Sequence, residues 1–203
     1  MSKEPRKPSD RIVWCDVETT GFPDDAPLLE VAFIVTDSEL NQVDECSTFE
    51  SLICDVSPQF LMQNVWEGHK ESGLIDDLIQ VHKLYHEGCE LPTSHSVENE
   101  VVDFLNSWGV YEGMEEKPPL AGSSVWFDRR RLERYMPRVA KLVSHRNIDV
   151  STIRELQLRW GREEHEPPKP GEAHRGLADI RESLELLRFF RKRGFIGGHP
   201  PRE

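Results

Sequence analysis

The sequence predicts an α/β fold: a mixed sheet whose first three strands run antiparallel, with helices on its faces. Three observations carry that expectation. Apolar runs at residues 12–16, 29–36 and 48–53 are separated by turn-rich stretches at 21–27 and 37–44, too short for crossovers, so these strands form a meander. Beyond them the apolar period lengthens to that of a helix, at Ile75, Leu78, Ile79, His82 and Leu84, and again at Val97, Val101, Phe104 and Leu105. Short strand-like pieces then alternate with helical ones, as a mixed sheet with flanking helices requires.

The later elements follow in order. Residues 118–122 read as a short strand entering a turn, and 128–135 as an arginine-rich helix ended by Pro137. Residues 147–150 form another short strand, after which Ser151 or Thr152 can cap a helix reaching Trp160. Pro167, Pro168 and Pro170 make 163–172 a loop, and a helix over 177–193 closes the chain. The sequence has no internal repeat and no break in composition. Residues 11–193 are therefore expected to form one domain between polar tails at 1–10 and 194–203.

The chain has 203 residues and a formal net charge of −12. That balance excludes a protein that coats long nucleic acid through a broad basic face. It is compatible with an enzyme of short nucleic acid, because a metal–carboxylate site is itself negative. Cys15, Cys46, Cys54 and Cys89 show no Cys-x-x-Cys spacing; Cys15 and Cys54 lie in apolar runs and read as core residues, which points to a reduced, cytoplasmic setting. No run approaches the roughly 18 apolar residues of a membrane span, and residues 1–10 lack an apolar signal core.

The chemistry is concentrated at Asp16 and Glu18, in Asp16-Val-Glu18-Thr-Thr-Gly21. A strand turns alternate side chains to one face, so both carboxylates point the same way. They can serve as a solvated acidic strand end, or they can share a divalent cation that offsets their repulsion. Asp128 opens the arginine-rich helix and Asp179 lies early in the last one; each fits a helix-dipole or solvated position, or a further metal ligand. His174 follows the proline loop, five residues before Asp179. It reads as an exposed loop residue or, beside carboxylates, as a general base, since an imidazole ordinarily titrates near neutrality.

In that order, Asp16-x-Glu18-x-Thr20-Gly21, Asp128 and His174-x-x-x-x-Asp179 closely resemble the three motifs of the DEDDh 3′–5′ exonucleases. Further segments are similar to the oligoribonucleases among them: Leu29-Glu-Val-Ala-Phe-Ile-Val-Thr-Asp37, His69-Lys-Glu-Ser72-Gly-Leu74, Tyr135-Met-Pro137, Ile148 through Leu156, and Asp179-Ile-Arg-Glu-Ser183. The resemblance covers residues 12–190.

It implies a ribonuclease-H-like fold and a 3′–5′ exoribonuclease that cuts RNA of two to about five nucleotides into nucleoside 5′-monophosphates. It implies two Mg²⁺ or Mn²⁺ ions on Asp16, Glu18, Asp128 and Asp179, with Asp16 bridging and His174 taking the proton of the attacking water. It further implies Phe22 as an apolar wedge at the terminal base, His69 in the 3′-nucleotide pocket, and Ser124 and Arg146 as a cap on the 5′ phosphate.

A two-fold homodimer is expected, with His145 reaching the neighbouring site and the basic residues 129–141 beside apolar Met136, Val139 and Leu142. Three positions depart from the pattern. Ser123 replaces an Asn, His145 replaces a Tyr, and Asn64 stands where a base-stacking Trp belongs, leaving Trp66 as a nearby substitute. Two other readings are a broader DEDDh exonuclease acting on DNA or structured RNA 3′ ends, and a binding module that has lost catalysis.

Overall fold

The computed structural model describes residues 9–64, 67–86, 90–160, 167, 171 and 174–193; Trp66, Cys89 and most of the proline loop lie outside them. Five strands form one mixed sheet: β1 (Arg11–Thr19), β2 (Leu28–Asp37), β3 (Thr48–Leu52), β4 (Leu120–Gly122) and β5 (Asn147–Asp149). The order is β3-β2-β1-β4-β5, with β1–β2 and β2–β3 antiparallel, and β1–β4 and β4–β5 parallel. The expected meander of the first three strands is present, and β1 lies at the centre.

Alternation along β1 and β2 divides the core between the two faces. Val13, Cys15, Val17, Val31, Phe33 and Val35 pack against α4 (Ser94–Ser107), α5 (Trp126–Tyr135) and α6 (Pro137–Leu142). Ile12, Trp14, Ala32 and Ile34 meet α8 (Gly176–Lys192), with Val150 of α7 (Val150–Trp160) beside it. A third cluster packs Leu61 of α1 (Pro58–Asn64) and Leu74 and Leu78 of α3 (Leu74–His86) with Leu29 of β2 and Cys54, and α2 (Glu67–Glu71) lies between the two helices in the chain. Cys15 and Cys54 are buried free thiols.

Several boundaries differ from expectation. β1 continues to Thr19, so Glu18 lies inside the strand rather than at its exit. Pro137 does more than end α5: it opens α6 at a first-turn position, where its missing N–H and fixed φ cost nothing. Helix α7 is capped by neither Ser151 nor Thr152. Its cap is Asp149, whose Oδ1 accepts the Ser151 N–H at 3.0 Å and the Ser151 hydroxyl at 2.6 Å. Met136, Val139 and Leu142 are core residues and are not available to a subunit contact. The five-residue α2 and seven-residue α1 are too short to show an apolar period, which is why the sequence does not announce them.

Candidate active site

Asp16 and Glu18 leave β1 on the face covered by α8. That helix approaches closely because it starts at a glycine: a Cβ on Gly176 would sit 2.6 Å from the Ala32 Cβ. Glu30, wholly buried on the same face of β2, fixes the approach. Its Oε1 accepts the Gly176 N–H at 2.7 Å and its Oε2 accepts Arg175 Nε at 2.9 Å, while Arg175 Nη1 reaches Asp77 of α3 at 2.8 Å. Asp179, in the first turn of α8, is thereby carried onto the acidic pair. Ligand oxygens of Asp16, Glu18 and Asp179 lie within 4.8 Å of one another.

Asp128 arrives from the opposite side. The Val13 N–H bonds Pro119 O, so by the two-residue period the Val17 N–H points the same way, past the end of β4. Asp128, 3% exposed, supplies the missing acceptor: its Oδ1 takes the Val17 N–H at 2.9 Å. The turn into α5 is tight enough to place it there because Gly122 has no side chain; a Cβ would stand 2.7 Å from Cys15 O. Three of the four expected carboxylates thus share one cluster, and Asp128 abuts it with one oxygen engaged by the backbone.

Burial and mutual repulsion govern the ionisation of these groups. Asp16 is held well above the usual carboxylate range, by burial first and then by Asp128, Glu18 and Asp179. Burial pushes Asp128 up to about 7 against the opposing Val17 N–H, and raises Asp179 to about 6, with Glu18 adding to it and His174 opposing. Hard, desolvated carboxylate oxygens with unrelieved repulsion form a donor set that fits a divalent cation.

A stability prediction follows. Each group binds its proton more tightly folded than unfolded, where an Asp titrates near ~4. Its stabilising contribution is complete below that value and is lost as pH rises through about 6–7. Melting in EDTA should therefore show a falling transition temperature from pH 5 to pH 8, and Mg²⁺ or Mn²⁺ should reverse most of the fall. A flat profile in EDTA would show that the carboxylates are not in conflict.

Two cavities open on the cluster. The larger, about 560 Å³, is lined by Asp16, His174, Asp179, Ser123, Ser151 and Arg154 among others. His174 stands there in the left-handed backbone region, with φ 45°, between the proline loop and the clamped start of α8. The smaller, about 240 Å³, is lined by Val17, Glu18, Thr19, Gly21, Phe22, His69 and Phe127. Within it His69 Nε2 meets Glu18 Oε2 at 2.8 Å, and Phe22 is 87% exposed at the rim.

The remaining expected residues are further out. Ser124 sits in the left-handed region, its N–H shared by Asp149 Oδ1 and Ser151 Oγ at 3.1 and 3.0 Å. The departure at Ser123 has a structural use: its hydroxyl pairs with Ser183 of α8 at 2.8 Å. His145 and Arg146 are exposed on the loop before β5. Arg129 shapes that loop, donating to Ser144 O, Arg146 O and Asn147 Oδ1. Other arginines are engaged too: Arg130 with Asp24, Arg131 with Phe22 O and Pro23 O, and Arg138 with Asn99. Trp66 lies outside the described residues.

Sequence reading missed Glu30, Arg175, Phe127 and Arg154. Only Glu30 left a clear signal, as a lone carboxylate inside an otherwise apolar strand.

With this geometry in place, the profile of the exonuclease family RNase_T matches residues 13–187. A probable oligoribonuclease of Caenorhabditis elegans is 34% identical over 92% of this chain and 90% of its own. An oligoribonuclease of Haemophilus influenzae is 37% identical over 89% and 93%. The chain belongs to the oligoribonuclease family of exonucleases. It is a nuclease of a metal-dependent exonuclease family, and the oxygens of its acidic cluster are close enough together to share a metal ion.

The fold agrees. An exonuclease I from Methylocaldum szegediense superposes with TM-score 0.59 at 18% identity, covering 93% of this chain, and an Escherichia coli exonuclease I in complex with an oligonucleotide does so with 0.59 at 12% and 91%. This chain spans only 42% and 40% of those two longer molecules. The ribonuclease-H-like mixed sheet implied by the resemblance is therefore the fold this family member has. No helix among the described residues is long and apolar enough to cross a membrane.

Proposed function

We propose that this oligoribonuclease family member is a 3′–5′ exoribonuclease that converts RNA of two to about five nucleotides into nucleoside 5′-monophosphates. The observation that carries the reading is the Asp16–Glu18–Asp179 cluster, with His174 at its edge, set between two small cavities. The 240 Å³ cavity is smaller than a drug-sized site and suits one terminal base against Phe22 and His69. The larger cavity would receive the preceding phosphate and ribose, with Arg154 and Ser151 on its wall.

Asp16, Glu18, Asp179 and Asp128 would hold two Mg²⁺ or Mn²⁺ ions, the choice following from their hard oxygen donors. When bound, these ions stabilise charge on the attacking and leaving oxygens. His174 takes the proton of the attacking water. The P–O3′ bond of the last linkage breaks, the penultimate nucleotide keeps the 3′ oxygen, and the phosphate departs on the released nucleotide. Phe22 and His69 orient the terminal nucleotide, Ser124 and Arg146 cap the 5′ phosphate, and Trp66 is a further candidate substrate contact. We place the enzyme in a reduced cytoplasm, consistent with the free thiols of Cys15, Cys46 and Cys54.

Preference for short RNA is supported by how the basic region is spent. Arg129, Arg130, Arg131 and Arg138 all donate to oxygens within the fold, so part of their donor capacity is committed before a strand arrives. Arg146 is exposed, and a homodimer that brings His145 of the partner subunit to the opposite site would let it act as an end stop.

A labelled length series tests this. Wild type should cleave RNAs of two to five nucleotides faster than ten-residue RNA or matched DNA. Arg146→Ala should slow dinucleotide cleavage by tens of fold, about 1.5–3 kcal/mol for one charged hydrogen-bond partner, and should matter less at ten residues. Equal losses at both lengths would remove the cap. Preference for DNA would favour the broader exonuclease reading.

A further inference from the structure

We infer that Phe127 is a base-recognition residue, closing on the 3′-terminal base together with Phe22. The inference rests on the proposed ribonuclease reading and adds a specificity determinant to it. Phe127 and Glu18 line the same smaller cavity, so a group that enters it to reach Glu18 meets the Phe127 ring. The Phe22 and Phe127 centroids lie 6.4 Å apart with a 70° angle between the planes, and Trp126 extends the aromatic strip outward at 6.0 Å from Phe127. This arrangement offers a π-face and an edge to one flat, apolar guest.

One buried cation holds the Phe127 ring and the backbone that carries Phe22. The side chain of Arg131 is fully buried, and its guanidinium carbon sits 3.4 Å from the centre of the Phe127 ring. The same guanidinium donates through Nη2 to Phe22 O at 2.7 Å and to Pro23 O at 2.9 Å. Arg131 therefore covers one face of Phe127 and pins the backbone that carries Phe22. The Phe127 side of the clamp is built before substrate arrives, which leaves the exposed Phe22 ring to be ordered on binding.

The chemistry of the cavity points to stacking rather than to reading of base edges. The Thr19 hydroxyl donates to Gly21 O at 2.7 Å, and His69 Nε2 is engaged by Glu18. The ring surfaces contributed by Phe22 and Phe127 take any base and grip the larger purines better.

Binding of non-hydrolysed probes separates this from the functional reading. By calorimetry with Mg²⁺, wild type should bind adenosine 5′-monophosphate at least about tenfold tighter than ribose 5-phosphate, and tighter than uridine 5′-monophosphate. Phe127→Leu keeps an apolar side chain in place; it should lose about tenfold for adenosine 5′-monophosphate and nothing for ribose 5-phosphate. Phe127→Trp should restore the difference. If Phe127→Leu does not fold, Phe127→Met takes its place.

Unchanged affinity for adenosine 5′-monophosphate in a folded Phe127→Leu protein overturns the clamp, as does an equal loss for ribose 5-phosphate. Wild-type turnover of a diribonucleotide, measured in parallel, reports on the ribonuclease reading independently: its absence would sink that reading, while the base-dependent binding decides the clamp.

Discussion

Asp16→Asn is expected to abolish turnover while raising the melting temperature of the metal-free protein. Asp16 shares its cluster with Glu18 and Asp179, and burial and those neighbours hold its carboxyl well above the ordinary range. Asn has nearly the same shape and carries no charge, so it removes repulsion from the empty cluster. Each ~1 kcal/mol relieved should raise the transition by about 2–4 °C for a chain of this size. The same change deletes one of the anionic groups that would hold the proposed metal pair. Charge stabilisation by such ions is worth several kcal/mol, so turnover should fall by at least about 10³-fold. The opposite signs of the two effects mark a functional group that the fold tolerates at a cost. Near-normal turnover at saturating Mn²⁺ would remove Asp16 from the metal site, and a lowered melting temperature in EDTA would make it structural.

His174→Ala should depress the rate at saturation by about 10²–10⁴-fold, the usual contribution of a general base, with affinity for metal and RNA nearly unchanged. The imidazole lines the same cavity as Asp16 and Asp179, where an attacking water would stand. Its left-handed backbone matters for interpretation, because substitution there can disturb the loop as well as the chemistry. His174→Asn is the control: Asn tolerates that backbone region but takes up no proton at neutral pH. Equal kinetic loss in both variants assigns the defect to proton transfer. A raised KM with the saturated rate intact would instead make His174 a binding residue.

Much of this arrangement was legible in the chain. The β-branched runs and short turns announced the central meander, and Asp16-x-Glu18 announced a shared face. Asp128 and Asp179 were visible as members of an ordered set of motifs. What the sequence could not reveal was how the fold delivers them. Asp128 reaches β1 because β4 ends at Gly122 and leaves the Val17 N–H without a strand partner, a fact of register rather than of residue type. Asp179 reaches the cluster because Glu30 clamps Gly176 and Arg175 from a strand 145 residues away.

Pro137 misled in a simpler way. A proline that stops one helix is equally suited to start the next, and only the backbone of Met136 decides between them. The arginine-rich stretch divides its roles in a way composition does not show: Arg131 is buried under Phe127, Arg129 shapes the loop before β5, and Arg130 and Arg138 bond to Asp24 and Asn99 at the surface.

The most direct test of the account is the time course of a 5′-labelled pentaribonucleotide with Mg²⁺ or Mn²⁺, with products identified by mass. The account predicts shortening by one nucleotide at a time from the 3′ end, release of nucleoside 5′-monophosphates throughout, full consumption of the final dinucleotide, and no reaction in EDTA. Internal cuts, products bearing 3′-phosphates, or undiminished cleavage in EDTA would contradict it.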